Sequence, residues 1–161
     1  MPNYDLPNHA PEPLRAVQLF VNSTDREHGH EWLPRWLEEH GLPGSDFDRA
    51  RELREAFRAL LLVNNEGGAA PEADAQVSAA ARAVRFEVHD GAVSFAADDA
   101  LGEVTAIAIA AMLDGTWRRL KVCRNCRWSF YDNSKNRSGS WCSMQLCGNR
   151  LKTRRFRSRH A

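Results

Sequence analysis

All four cysteines of this chain, Cys123, Cys126, Cys142 and Cys147, fall within 25 residues, and the other 136 residues contain none. Their order, C-x2-C, fifteen residues, then C-x4-C, is close to the spacing of a tetrahedral structural zinc site built from two ligand pairs. In "CRNC" the two-residue gap lets a tight turn aim both sulfurs at one point. The intervening loop is long enough to double back as a hairpin and bring the second pair into register. Four thiolates close the coordination shell and leave no position for water or substrate, so the metal is expected to be structural rather than catalytic.

Two other readings of the cysteines compete with a metal. A pair of disulfides suits a small secreted domain, but the start "MPNYDLPNHAPEP" has no basic region followed by an apolar run. A redox C-x-x-C centre leaves the second pair unexplained. The longest apolar stretch, "TAIAIAAML", falls far short of the roughly 20 residues that cross a bilayer. The expected location is the cytoplasm, where thiols stay reduced.

The formal net charge of +1 hides a division at Trp117. From there to the end, 13 Lys and Arg face one acid, Asp132, which makes +12 and leaves −11 for residues 1–116. Such asymmetry bears on partners and solubility rather than on fold. The basic end closes with "LKTRRFRSRH", which contains no Pro or Gly and is rich in helix formers. A helix is expected to run through the second cysteine pair or to start just after it. At 100° per residue, Arg150, Arg154 and Arg157 form one stripe and Lys152, Arg155 and Arg159 another, so phosphates can be met on both flanks, as in a major groove. Lys135 and Arg137, in the loop between the cysteine pairs, are further candidates for phosphate contact. Docking of the basic end on the acidic body, and a solubility or partner-protein role, stay open beside nucleic acid. Trp128, Phe130, Tyr131 and Trp141 are expected to pack around the metal, with base stacking as the other reading.

These residues carry a family resemblance. "CRNCRWSFYDNSKNRSGSWCSMQLCGNRLKTRRFRSRH" resembles the CGNR zinc finger, named for the tetrapeptide that is here Cys147, Gly148, Asn149 and Arg150. Its flanking features are present too: Phe130–Tyr131–Asp132, Ser134–Lys135–Asn136 and Trp141–Cys142–Ser143–Met144. "VQLFVNSTD" and the Trp-rich helix after it, ending in "EEHGL", resemble the start of the ABATE domain that usually precedes this finger. The resemblance implies zinc, DNA and a candidate role in stress-induced transcription regulation, with no known catalytic activity. One departure is visible: Gly139 and Ser140 stand where the family often has two basic residues. Asn22 and Asp25, in the ABATE-like stretch, are candidates for lining a small-molecule pocket, or for capping and tying a loop.

The rest of the body reads as helices. Leu14, Val17 and Val21 recur at helical spacing, and Trp32, Trp36 and Leu37 mark a second helix ended by "HGLPG". Ser45 is expected to cap a third helix with Asp48 at the capping-box position, and Phe47, Ala50, Leu53, Phe57 and Leu61 mark its apolar face. Pro71 starts an Ala-rich helix, "RFEVHDGAVSFA" alternates around Asp90–Gly91 as a hairpin, and Asp98 is expected to cap a last helix that Gly115 ends. His28 and His30, near Asp25 and Glu31, are expected to be solvated rather than to bind a metal. There is no Gly-rich phosphate loop, and no cysteine is left over as a nucleophile.

The fold class expected is thus mainly α with one β-hairpin (α+β): an acidic helical domain over residues 1–116, which can sense a ligand or dimerise, then a small four-Cys zinc finger with a basic C-terminal helix over residues 117–161. The function expected is a non-enzymatic, zinc-containing DNA-binding regulator. The alternative is a protein-interaction module in which a purely structural zinc staples a basic docking surface.

Overall fold

The computed structural model describes residues 8–149. The chain begins with α1 (Leu14–Val21), a short strand pair β1 (Thr24–Asp25) and β2 (His30–Glu31), and α2 (Leu33–Glu39). It continues through the long α3 (Phe47–Glu66) and α4 (Pro71–Ala80) to the hairpin β3 (Arg85–His89) and β4 (Ala92–Ala96). Helix α5 (Ala100–Asp114) then leads through a 3-10 turn at Thr116–Arg119 into β5 (Leu120–Val122) and β6 (Ser129–Tyr131). The fold is mainly helical, with three antiparallel strand pairs among the described residues, β1–β2, β3–β4 and β5–β6, of which the sequence pointed to one.

Most of the apolar helix positions read from the sequence meet in one core, while Phe86, Val88 and Val93 of the hairpin stay exposed. Val17, Phe20 and Val21 of α1, Trp36 and Leu37 of α2, Phe57 and Leu61 of α3 and Leu101 and Ala108 of α5 are all buried. Phe20 lies 4.7 Å from Trp36 between ring centres and 6.3 Å edge-on from Phe57, which in turn meets Trp117 at 5.8 Å. These are the spacings at which aromatic pairs attract. The same core takes in Leu120 and Val122 of β5 and Tyr131 of β6. The first strand pair of the cysteine-bearing segment is therefore built into the body.

Local chemistry explains where the elements end. Asp90 and Gly91 both have positive φ, 50° and 77°, which gives the two-residue turn that matches the twist of a hairpin. Gly115 closes α5 in the left-handed conformation. Two caps differ from expectation. Ser45 does not cap α3, because Gly44–Asp46 wind into a 3-10 turn that runs straight into the helix, and Asp48 pairs with Arg51 at 2.9 Å instead. Asp98 does not cap α5 either. Asp99 does, accepting from the Gly102 N–H at 2.7 Å, while Asp98 forms a fork-to-fork pair with Arg85 at 2.7 and 2.8 Å. With two adjacent aspartates, the backbone path decides which one turns inward.

Candidate metal centre

The sulfurs of Cys123, Cys126, Cys142 and Cys147 all lie within 4.8 Å of one another. Cys142 Sγ is 3.5 Å from Cys126 Sγ and 3.6 Å from Cys147 Sγ. A tetrahedral ion with bonds of about 2.3 Å to sulfur sets its ligands about 3.8 Å apart, so these spacings fit one metal ion. None of the four is paired as a disulfide. Cys123 follows directly on β5, and its N–H donates to the Trp128 carbonyl while its carbonyl accepts from the Arg127 N–H, which folds "CRNCR" into a knuckle. Arg127 completes the knuckle with a positive φ of 64°. Cys147 is presented by a single π-helical turn, Met144–Gly148, whose Ser143 Oγ accepts from the Leu146 N–H. Such turns recur at functional sites because they re-aim one side chain.

Crowding the sulfurs has an electrostatic result. Hydrogen bonds from the Cys126 and Cys142 thiols push the Cys123 thiol far below its usual range, while that same Cys123 partner drives Cys126 and Cys142 up. Among these three, one thiolate flanked by two thiols is what the crowding favours. Only a cation lets all four ionise together. The donor set and its spacing therefore fit a bound metal, held by these four residues and closed to further ligands.

Around the sulfurs sit Phe130, Trp128 and Trp141, so three of the four aromatic residues pack at the cluster as expected. Tyr131 does not, since it faces the body core. Asn125 Nδ2 donates to Cys147 Sγ at 3.6 Å. A Cβ added to Gly148 would lie 2.9 Å from Met144 Sδ and 3.4 Å from Trp141 Cδ1, so the glycine lets the π-helical turn close over the aromatic ring.

Between β6 and Cys142 the loop 132–139 is fixed by a buried ion pair. Lys121 Nζ sits 2.8 Å from Asp132 Oδ2, with both side chains at most 5% exposed, and Nζ also donates to the carbonyls of Arg137 and Gly139. Asp132 accepts from the N–H groups of Ser134 and Gly139, and Arg119 donates to the carbonyls of Asp132 and Ser134. Burial alone would raise the Asp132 carboxyl, but Lys121 and Ser134 outweigh it and hold the pKa down at about 2. Gly139 is required here: a Cβ on it would lie 2.7 Å from Asp132 Oδ1. The loop holds Lys135 and Arg137 outward, both exposed, with Arg137 at a φ of 51°.

Two matches to protein families agree with this geometry. Residues 14–118 fit the model of the ABATE domain, described as "Putative stress-induced transcription regulator", and residues 119–160 fit the CGNR zinc finger. The chain belongs to the ABATE family. A CGNR zinc finger follows its ABATE domain. No curated protein matches the chain.

The ABATE domain and the finger are joined by polar side chains, of which the sequence had singled out only Asn22, as a ligand contact or a residue that ties a loop. Asn22 donates to the Ser129 carbonyl at 2.9 Å and accepts from the Ser129 N–H at 2.7 Å, so its amide acts as one more strand beside β6. Gln18 donates to the same carbonyl. Arg58 donates to the carbonyls of Val21 and Arg127, and Asn65 to those of Val122 and Ser140. In return Arg124 donates to the Asn65 carbonyl and Arg127 pairs with Glu66 at 3.7 Å. Arg124 and Arg127 are thus docked on the ABATE domain, while the expected docking of the basic end falls on residues outside the described ones. The only signal in the sequence was polar residues at core-facing helical positions, such as Gln18 between Leu14 and Val21.

The remaining candidates divide. Asn22 and Asp25, read as possible ligand contacts, are committed within the chain. Asp25 Oδ1 accepts from the N–H groups of Glu27 and His28, and Oδ2 meets His28 Nδ1 at 2.7 Å. Burial opposes this charge, yet the His28 hydrogen bonds hold the Asp25 carboxyl below its ordinary value. Of the candidate phosphate contacts, Lys135 and Arg137 are exposed. Arg150, Lys152, Arg154, Arg155, Arg157 and Arg159 lie outside the described residues. Lys121 is buried, and Arg119, Arg124 and Arg127 are committed to internal partners. Among the described residues from Trp117 on, Arg118, Lys135 and Arg137 are the exposed cations whose side chains carry no hydrogen bond or ion pair. No helix among the described residues is long and apolar enough to cross a membrane.

Proposed function

We propose that this chain is a DNA-binding regulator in which zinc, held by Cys123, Cys126, Cys142 and Cys147, shapes a finger that grips phosphates. Four soft thiolates in a tetrahedral cluster suit zinc over harder cations, and the closed shell suits a scaffold rather than a reaction centre. The observation that carries the reading is the loop 132–139, where a buried ion pair fixes the backbone while Lys135 and Arg137 project from it. Cations on a fixed backbone bind phosphate at a smaller entropic cost than cations on a free one. The basic run Arg150, Lys152, Arg154, Arg155, Arg157 and Arg159 extends the same positive charge from the metal ligand Cys147.

Action in the cytoplasm keeps the thiols reduced and available to the metal. The ABATE domain is read as the receiver of a signal. Because Asn22 and Asp25 are committed to the chain, a ligand would enter elsewhere, and a groove of about 430 Å³ between α3, α4 and α5, lined by Leu53, Ala80 and Leu101 with Arg49 and Asp99 at its rim, has the volume for one.

A fluorescence anisotropy titration with random duplex DNA over a salt series tests the reading. The affinity should fall with salt by roughly 0.9 log units per decade for each phosphate contact. The Lys135→Ala, Arg137→Ala double variant should reduce that slope by about 2 while leaving metal content unchanged. Absence of binding at low ionic strength by metal-loaded protein would remove the DNA reading and leave the protein-interaction module.

A further inference from the structure

The four sulfurs of the metal centre are not equally reachable. Cys123, Cys142 and Cys147 are 0%, 4% and 3% exposed, whereas Cys126 is only partly buried. Cys123 directly follows a strand packed in the body core, and Cys126 lies three positions on, in the turn that leaves that strand. The open sulfur also has a close neighbour, since Cys126 Sγ lies 3.5 Å from the buried Cys142 Sγ. A disulfide needs about 2.05 Å, so one of the two chains must give by about 1.5 Å. Cys142 can give, because residues 138–143 form no strand or helix. Cys123, the other cysteine of the knuckle, is pinned through both its N–H and its carbonyl.

We infer that Cys126 is a site of oxidation by hydrogen peroxide, with Cys142 as the sulfur that resolves it. Peroxide, small and uncharged, suits a sulfur that is only partly open to solvent. The Cys126 sulfur attacks one peroxide oxygen, the O–O bond breaks and hydroxide departs, leaving a sulfenic acid. The Cys142 thiolate then attacks the Cys126 sulfur. An S–S bond forms, the S–O bond breaks, and a second hydroxide departs. The two thiolates together lose two electrons, and peroxide takes them up to become two hydroxides, which two protons turn to water.

The consequence rests on the metal reading of the four cysteines and not on DNA binding. With Cys126 and Cys142 bridged, only Cys123 and Cys147 are left as thiolates, too few for an ion that needs four donors. The bridge ties the knuckle to the stretch beyond the loop, so oxidation empties the centre without parting its halves. Strands β5 and β6 keep their places, because Leu120, Val122 and Tyr131 pack in the body core.

Stepwise titration of the zinc-loaded full chain with hydrogen peroxide tests the inference, with remaining thiols then blocked and the chain digested by trypsin in denaturant. Cleavage after Lys121, Arg124 and Arg127 puts Cys123 and Cys126 in separate peptides, and fragmentation of the peptide 138–150 tells Cys142 from Cys147. Mass spectrometry should find a bridge between Cys126 and Cys142, with zinc released in proportion and both changes reversed by a thiol reductant and fresh zinc. Dimedone added with the peroxide should label Cys126 at least about fivefold ahead of the other three, since access governs which thiolate is oxidised. All these readouts come from the wild-type chain, so none depends on a variant that loses a ligand. First labelling of Cys123, Cys142 or Cys147 overturns the inference, as does a bridge between any other pair or no bridge at all. A chain that binds no zinc would refute the metal reading instead, and in that chain the position of the bridge still decides between the sulfurs.

Discussion

At the scale of single residues, two glycines of the finger look alike in sequence and differ in what surrounds them. Gly148 meets the flexible end of Met144, which is itself half-exposed and can swing aside. Gly139 meets the Asp132 carboxylate, which Lys121 and two backbone N–H groups hold in place. Gly148→Ala is therefore expected to cost under about 1 kcal/mol, and Gly139→Ala roughly 2–4 kcal/mol, because its Cβ must displace one member of a buried ion pair. Urea unfolding midpoints of the two variants at neutral pH check the order. Equal costs would mean that the Asp132 carboxylate yields as easily as a thioether.

At the scale of elements, the loop 132–139 has no regular structure and owes its shape to one pair of charges. The Asp132 pKa is held at about 2, below its usual 3.8, so its contribution to stability is fully present above about pH 4 and is lost as pH falls towards 2. The cysteines also lose metal in acid, so the wild type alone does not isolate this effect. Comparison with Asp132→Asn does. At pH 7 the variant should be less stable by roughly 2–4 kcal/mol, with Lys121 left buried and unpaired. By pH 3 the gap should have begun to close, and near pH 2 it should be small, because about half of the folded Asp132 is then protonated and little of the linkage to its lowered pKa is left. Urea midpoints of the pair at several pH values measure it, and a gap that stays constant would show that the Asp132 charge is not what fixes the loop. A loop between the cysteine pairs was legible beforehand, but neither the ion pair nor the path it gives the loop was. Lys121 and Asp132 are eleven residues apart, and the register Lys121↔Phe130 within β5–β6 is what sets the lysine beside the start of the loop.

At the scale of the whole molecule, the body and the finger share a core. Sequence alone suggests that chelation would unfold the whole segment from Trp117 on and leave the helical body. With Leu120, Val122 and Tyr131 packed among the helices, the expected loss is narrower: the knuckle 123–128 and the stretch 142–149 open, while β5 and β6 stay in place. Limited trypsin digestion with and without a chelator checks this. Cleavage after Arg124 and Arg127 should appear, cleavage after Lys121 should not, and the helical signal should fall little. General loss of helix on chelation would show instead that the metal supports the body. What the sequence determined by itself was everything carried by short spacing: the cysteine pairs, the helical and alternating apolar patterns, the Asp90–Gly91 turn and the division of charge. A ligand pair three or five positions apart, or a face repeating every 3.6 residues, is fixed by local chain geometry. Only the tertiary structure decided which cations are free, since Lys121, Arg119, Arg124 and Arg127 are drawn inward by partners distant in the chain, and it turned Asn22 from a candidate ligand contact into a strut beneath β6. A polar side chain takes whatever hydrogen-bond partner the packed core brings within about 3 Å, and the linear sequence holds no record of that neighbour.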